Sequence, residues 1–361
     1  MKKILSLLLA LAMCLSLAAC GTSGGNNAAG GNDAAQENQT AQPDNTPDAA
    51  PDATPDAAPD DSEDAEVEIP HSDKFTVADG KVSFTDALGN DVSLTIKPER
   101  VVTLSTTWHD LWYDCGGTAI GRVDEPLCTL RNEEAAAVEI IGSSSEVSLE
   151  AVLAKEPDMV IVSNKDMAAA LGEAGVEYLY YDYDNFEGFL ETLELYTILT
   201  DRPDLYEQWA ADNIRRVNAV REICAQQTPA QIVMLLPHAT SGIYALRNSG
   251  FLGNLLEDMN TINVAFQDVN GAEAKNFVIS MEELLQLDPQ FILSRGGSGD
   301  GSVETATAIY ETNPLWFELS AVKEGRFHHL PSELFLYKAN VRYGEAYEYL
   351  AKILYPDAFA E

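Results

Sequence analysis

Four cations have the clearest capacity to bind something in this chain: Arg247, Arg295, Lys338 and Arg342. Their importance lies in the contrast with their surroundings. The 361 residues hold 58 Asp or Glu against 22 Lys or Arg, a formal net charge of −36. A cleft that gathered two or more of these cations would therefore be a local positive site in an acidic protein. A guanidinium donates two parallel hydrogen bonds from a planar fork, which suits carboxylates and catecholates. Arg295 follows the apolar run Phe291–Leu293, Arg247 lies in a loop region beyond Ile232–Leu236, and Lys338 and Arg342 share the segment Tyr337 to Tyr343. Loops beyond the carboxyl ends of strands are where open α/β sheets hold ligands. The same rule nominates Thr106, Thr107, Trp108 and His109, then Ser163-Asn164-Lys165, then Asp182–Asp184, and on the far side Pro237-His238. Trp108 and Tyr343 could form flat walls. Each cation also has a plainer role, Arg342 within a cap and Lys338 as a solvated surface residue.

The elements that would position these loops are announced by a stretch the chain carries twice. Residues 148–162 read SLEAVLAKEPDMVIV and residues 280–294 read SMEELLQLDPQFILS. Each opens on a Ser suited to cap a helix, has Glu two places on, and passes through an acidic residue and Pro into an apolar run. Ser280 and Glu283 have capping-box spacing, and the prolines mark where each helix must stop. A helix feeding an apolar strand is half of an α/β unit with a parallel sheet. Two copies 132 residues apart predict two lobes of similar topology, at residues 71–200 and 229–361.

A hairpin is expected over Lys81–Thr85 and Asp91–Ile96, then a strand at Val101–Leu104 and a helix from Trp108 ended by Gly116-Gly117. Further strands are expected at Ala119–Gly121 and Tyr178–Tyr181, with a helix over Phe186–Leu199. Between the lobes, residues 201–228 read as one long helix, capped by Asp201 with Pro203 in its first turn and running from Asp204 to Gln227. Its 24 residues would span about 36 Å, enough to cross from one domain to another. A final helix is expected over Arg342–Leu354.

The N-terminus sets the compartment. Lys2 and Lys3 precede an apolar run to Leu17 and then Leu17-Ala18-Ala19-Cys20, the layout of a signal peptide over residues 1–19. LAAC looks like a bacterial lipobox, which implies cleavage before Cys20 and lipidation of its thiol. Residues 21–70 hold twelve Asp or Glu and no Lys or Arg, with Pro-Asp recurring from Pro43 to Asp60. That composition reads as a disordered tether. Cys115, Cys128 and Cys224 remain, an odd set in which at most one disulfide can form and no metal spacing is present.

Several classes are excluded. Residues 71–361 carry 46 acidic and 20 basic residues, which argues against nucleic acid and against docking on anionic lipid by charge. A catalytic α/β metalloprotein is the alternative enzyme reading, and it is disfavoured: no Cys cluster, G-x-S-x-G, Walker loop or dinucleotide loop occurs, and the Gly-rich loop Gly296–Gly301 lacks a Lys. An adhesive surface protein would explain the tether but not the paired repeat.

The chain resembles the substrate-binding proteins of bacterial ABC importers for ferric siderophores, haem and cobalamin. The resemblance covers residues 82–357. It is carried by TDALGNDVSL followed by KPERVVTLS, by the twin segments after SLE and SME, by NPLWFELSAVKEGRFHHLP and by FLYKANVRYGEAYEYLAKILYP. It implies the class III periplasmic-binding-protein fold: two Rossmann-like lobes with parallel sheets, joined by one long helix, holding ligand between them with little hinge closure. It implies a monomer, anchored extracytoplasmically to the membrane through lipid alone, that is no enzyme and keeps no resident cofactor. Its cargo would be a ferric chelate, haem or a corrinoid, delivered to an ABC permease and its ATPase. Glu150 and Glu282 match the acidic residues that pair with permease arginines in the family. Arg342 gains weight from the family-like YKANVRYG. Haem-binding members use axial His, Met or Tyr, which makes His109 and His238 the alternative ligand set. Zinc or manganese import is disfavoured, because only His328-His329 are adjacent and strand neighbours point to opposite faces.

Overall fold

The computed structural model describes residues 67–125, 128–267, 276–296 and 303–360. The signal peptide, Cys20, almost all of the tether and residues 297–301 of the Gly-rich loop lie outside them.

The folded body begins earlier than residue 71. Val67 and Ile69 pack on the core, the Pro70 carbonyl accepts from the Tyr206 hydroxyl, and His71 Nδ1 lies 2.8 Å from the Glu194 carboxylate. An antiparallel three-stranded sheet follows, Thr76–Ala78, Lys81–Thr85 and Asp91–Thr95. Its alternation buries Val82, Phe84 and Leu94 and leaves Ser83 and Thr85 outside.

The first lobe is built on five parallel strands in the order Ile140–Ser143, Gly121–Asp124, Val101–Thr103, Met159–Ile161, Glu177–Leu179. The expected strands at Ala119–Gly121 and Tyr178–Tyr181 are present but displaced, the first toward the carboxyl end and the second toward the amino end. The helix expected from Trp108 begins at Thr106 and ends at Asp114; Cys115 closes it, and Gly116 supplies φ +82° for the exit.

The second lobe corrects the parallel expectation. Its sheet runs Phe277–Val278, Gly242–Leu246, Ala230–His238, Phe291–Ser294, Phe327–His329, with Thr261–Asn263 beside the first half of Ala230–His238. The last two strands in that order pair in parallel with their neighbours, whereas Gly242–Leu246 runs antiparallel to both of its own. The cause is local. Ala230–His238 is nine residues long, and the chain doubles back on it through Gly242, at φ +97°, to pair Gly242 with His238.

Both twin segments fold as read. Ser148 caps Leu149–Leu153 by accepting from Ala151 N–H, and Ser280 with Glu283 closes a full capping box on Met281–Leu287. The acidic residue before each proline, Glu156 and Asp288, takes a left-handed conformation at φ 50° and 35°. Asp288 caps its helix directly, Glu156 follows two residues after the Ala154 cap, and both turns aim the chain into the strand.

The connecting helix is Pro203–Ala225, about 34 Å at 1.5 Å per residue. Asp201 does not cap it; it closes the preceding helix Phe186–Thr200 in a left-handed conformation. The buried stripe Tyr206, Ala210, Asn213, Ile214, Val217, Val220 and Cys224 packs on Phe186–Thr200 of the first lobe and on Tyr343–Leu354 of the second. One continuous apolar core therefore runs through both lobes and the helix, with a smaller core within each lobe. Cys115, Cys128 and Cys224 are free thiols.

Asn213, fully buried, ties the helix to the second lobe. Its amide donates to the Val341 carbonyl at 3.0 Å, and its Oδ1 accepts from Gly344 N–H at 2.7 Å, an otherwise orphan donor in a helix's first turn. Asn213→Ala should cost roughly 1–3 kcal/mol for each group left unpaired. Urea unfolding of the folded body measures it, and an unchanged midpoint would show that the junction repacks.

Candidate ligand-binding cleft

A cavity of about 370 Å³ lies between the lobes, within the usual range for small-molecule sites. It sits at the carboxyl ends of strands from both sheets. From the first lobe come Ser105 and Thr107 after Val101–Thr103, Ser163 after Met159–Ile161, and Asp182 and Asp184 after Glu177–Leu179. From the second come Leu246 and Arg247 at the end of Gly242–Leu246, Arg295 after Phe291–Ser294, and Tyr337 and Lys338 from the segment after the short helix Ser332–Phe335.

Arg295 is the strongest candidate. Its terminal amine donates to the Leu336 carbonyl at 2.9 Å, its Nε is buried without a hydrogen-bond partner, and among the described residues no carboxylate lies within ion-pair range. Partial burial pulls its pKa down from the ordinary arginine value, as expected of a half-buried cation with no carboxylate partner among the described residues. Arg247 lines the same wall, its backbone N–H held by Asn276 Oδ1 at 3.0 Å. The first turn of the helix Gly250–Asp258 completes this wall. Ser249 gives it no side-chain cap, and helix N-terminal N–H groups attract anions. Burial pushes the Tyr337 phenol up to about 12, so it stays a neutral donor.

Other expected members are placed differently. Lys338 reaches the cleft but is engaged with Asp182 and the Tyr183 carbonyl. Trp108 contributes only an edge: it is 4% exposed and packs on Tyr183 at 5.8 Å between ring centroids. Arg342 is absent from the lining and forms a two-bonded pair with Glu345, at 2.7 and 2.5 Å. Tyr343 is fully buried among Phe186, Phe189 and Phe251. The reason is a 3-10 turn at Asn340–Arg342, entered through Asn340 at φ +52°, which swings both side chains off the cleft.

The axial-histidine alternative fails on geometry at His109. It is fully buried, with Nε2 donating to the Ala135 carbonyl at 3.0 Å and Nδ1 accepting from the Thr103 hydroxyl at 2.7 Å. A carbonyl can only accept, which fixes the proton on Nε2 and leaves no nitrogen for a metal. His238 sits in the turn with Thr240 and Ser241 and does not line the cavity. Among the described residues no group of three His, Cys, Asp or Glu is placed to hold a metal ion. Glu150 and Glu282 are exposed in the first turns of their helices, outside the lining.

Among the lining residues missed by sequence reasoning are Ser249, Gly250, Phe251 and Asn276. Ser249-Gly250 ahead of an apolar-periodic run is a helix start, and that signal was available once Gly242–Leu246 is recognised as a strand.

Fold and cleft define a two-lobed solute-binding protein in which one rigid helix joins the lobes. A family model described as periplasmic binding protein matches residues 101–334, and the chain belongs to this family. It is 23% identical over 270 residues, 69% of this chain and 81% of the other, to YhfQ of Bacillus subtilis (strain 168), by name an ABC transporter substrate-binding lipoprotein. It is 23% identical over 250 residues to the Fe(3+)-citrate-binding protein YfmC of the same organism, covering 64% of this chain and 72% of that one. Among solved structures it shares its fold with the periplasmic vitamin B12 binding protein BtuF of Vibrio cholerae. The TM-score there is 0.58 at 19% identity, over 74% of this chain and all of that one.

His109 makes the first lobe sensitive to acid. Burial, the largest influence, lowers its pKa from 6.5, so the unfolded chain takes up a proton the native state resists. Stability should therefore be unaffected by this group above pH 6.5 and fall as pH drops below it. His109→Gln should remove that slope; melting temperatures taken downward from pH 7.5 in steps of about one unit compare the two proteins.

Proposed function

We propose that this chain captures an acidic iron chelate, a siderophore or ferric carboxylate complex, between its lobes and delivers it to an ABC permease; corrinoids are the second cargo class. The observation that carries the reading is Arg295, half-buried with its Nε sealed and unpartnered and lacking a carboxylate partner among the described residues, on the same wall as Arg247. A half-buried cation in that state is stabilised by an anion that enters with the ligand. The kinship with a relative named for ferric citrate points the same way. Haem held by His109 is not supported, since both ring nitrogens are occupied.

The chain acts as a carrier, releasing its cargo unchanged, with no resident cofactor. The LAAC tetrapeptide ending at Cys20, and a relative named as a lipoprotein, favour lipid anchoring outside the cytoplasmic membrane. Among the described residues no helix is long and apolar enough to cross a membrane. The exposed Glu150 and Glu282, one at the same position of each twin segment, serve as docking points for cationic residues of the permease.

Arg295→Ala should weaken ferric-chelate binding by about tenfold to a hundredfold, the worth of a charge-assisted hydrogen bond. Arg295→Lys should recover only part, because an ammonium cannot reproduce the planar fork. Fluorescence titration with ferric citrate, ferric siderophores, haem and cobalamin checks both the class and the residue. Tightest binding to haem, indifferent to Arg295→Ala, would sink the reading.

Charge reversal of Glu150 or Glu282 to Arg should impair uptake while leaving affinity unchanged. Loss of affinity with uptake per bound ligand intact would assign these residues to the cleft.

A further inference from the structure

We propose that Lys338 selects for acidic ligands without touching them: its ammonium cancels the acidic wall of the first lobe, so that an anion can approach Arg247 and Arg295. The proposal rests on the preceding reading of the cargo as an acidic chelate and assigns a further specificity-determining residue to that site.

The two walls of the cleft carry opposite charge. Arg247 and Arg295 stand on the second-lobe side, Asp182 and Asp184 on the first-lobe side. Two carboxylates facing the cavity would repel an anionic ligand and offset much of what the arginines contribute. Lys338 belongs to the second lobe but crosses to the first. Its ammonium meets Asp182 and the Tyr183 carbonyl and lies 3.9 Å from Asp184 Oδ1. It also sits 4.3 Å from the Tyr183 ring centroid and 5.6 Å from that of Trp108.

The pattern of exposure separates this role from direct ligand contact. The Lys338 side chain is 19% exposed, against 58% for Asp182 and 68% for Asp184. The carboxylates are the more exposed groups and the lysine is the more enclosed. Two of its three donors are committed to fixed acceptors. One of those acceptors belongs to Tyr183, fully buried and itself donating to Asn340 at 3.1 Å. An ammonium held this way is poorly placed to follow a ligand and well placed to neutralise what surrounds it.

The test is a charge-deletion series on the full folded chain, read by calorimetric titration with ferric citrate and ferric hydroxycarboxylate siderophores. Lys338→Met should lose about tenfold or more in affinity, because two uncompensated carboxylates now face the anion. Adding Asp182→Asn and Asp184→Asn to it should restore affinity to within about threefold of wild type, although the ammonium is still missing. Raising salt from about 20 to about 500 mM should narrow the Lys338→Met defect by screening the repulsion. Near-ultraviolet dichroism checks that each variant is folded. A triple variant as weak as Lys338→Met overturns the proposal and assigns Lys338 to direct contact or to lobe spacing. An unchanged Lys338→Met overturns it too. A wild-type protein that binds no acidic chelate overturns this proposal together with the reading it rests on, whereas the first two outcomes leave that reading standing.

Discussion

The packing of Tyr343 is the constraint on which the rest of the molecule depends. The ring is fully buried, 5.1 Å from Phe186 and stacked at 5.1 Å on Phe189, both from the first lobe, and edge-on at 5.2 Å to Phe251 of the second. Tyr183 and Tyr347 close the cluster at 6.2 and 5.7 Å. Aromatic pairs contribute about 0.5–1.5 kcal/mol beyond the area they bury, and here several act on one residue. Beside it, Arg221 of the connecting helix reaches Glu187 of the first lobe and Asp258 of the second, with its guanidinium 5.4 and 5.8 Å from the Phe186 and Tyr347 rings. The lobes are joined covalently by one helix but fastened by this cluster, by Asn340 to Thr107 and Tyr183, and by Asn254 to the Asp184 carbonyl. Opening them widely would expose a shared core. Ligand therefore meets walls whose spacing is already set, which lowers the ordering cost of binding.

That rigidity gives the cleft's few charges their force. The chain as a whole is acidic, so an anionic ligand is not drawn in from a distance; at physiological ionic strength the surface field fades within about 8 Å. Discrimination must come from inside, where lower effective dielectric strengthens a pair several-fold over its value in water. Arg295 has the local environment for this: it is half-buried, its Nε is sealed from solvent without a partner, and no carboxylate among the described residues pairs with it. The acidic background outside and the half-buried cation inside are opposite in sign, so the cleft differs electrostatically from the rest of the surface.

What could be read from the sequence was what is decided locally. Caps, helix-stopping prolines and apolar runs act over fewer than a dozen residues, so both twin segments, the opening hairpin and the connecting helix stood in plain view. Arg295 was legible for the same reason, being the residue immediately after an apolar strand. Residues whose direction depends on the phase of a turn were not. His109 points into the core because its helix begins two residues earlier than the Trp108 start suggested, and because Ala135, on the short Asn132-capped helix Glu133–Ala136 that the sequence reading passed over, supplies a carbonyl. Arg342 and Tyr343 are turned away by a single left-handed Asn. The antiparallel strand Gly242–Leu246 was hidden because the preceding strand contains Pro237, which reads as an end, and the reversal at Gly242 carries no two-residue turn motif.

The twin segments place an exposed residue and a cleft residue with one structural unit. Fifteen residues after the capping Ser148 comes Ser163, and fifteen after the capping Ser280 comes Arg295; both line the cleft, from opposite lobes. Two residues after each cap come Glu150 and Glu282, both exposed. In an α/β unit the helix runs back antiparallel to the strand it feeds, so its amino end lies at the same edge of the sheet as the strand's carboxyl end. The cap position thereby sets the rim glutamate and the cleft residue together. The left-handed turns at Glu156 and Asp288 set the strand that carries the cleft residue to the cavity. Between the two copies the cap, the rim Glu, the acidic residue and the Pro are kept, and the residue at the cleft differs, Ser in one lobe and Arg in the other. The repeat holds the frame constant while its cleft position contributes a neutral Ser to one wall and, beside Arg247, a cation to the other.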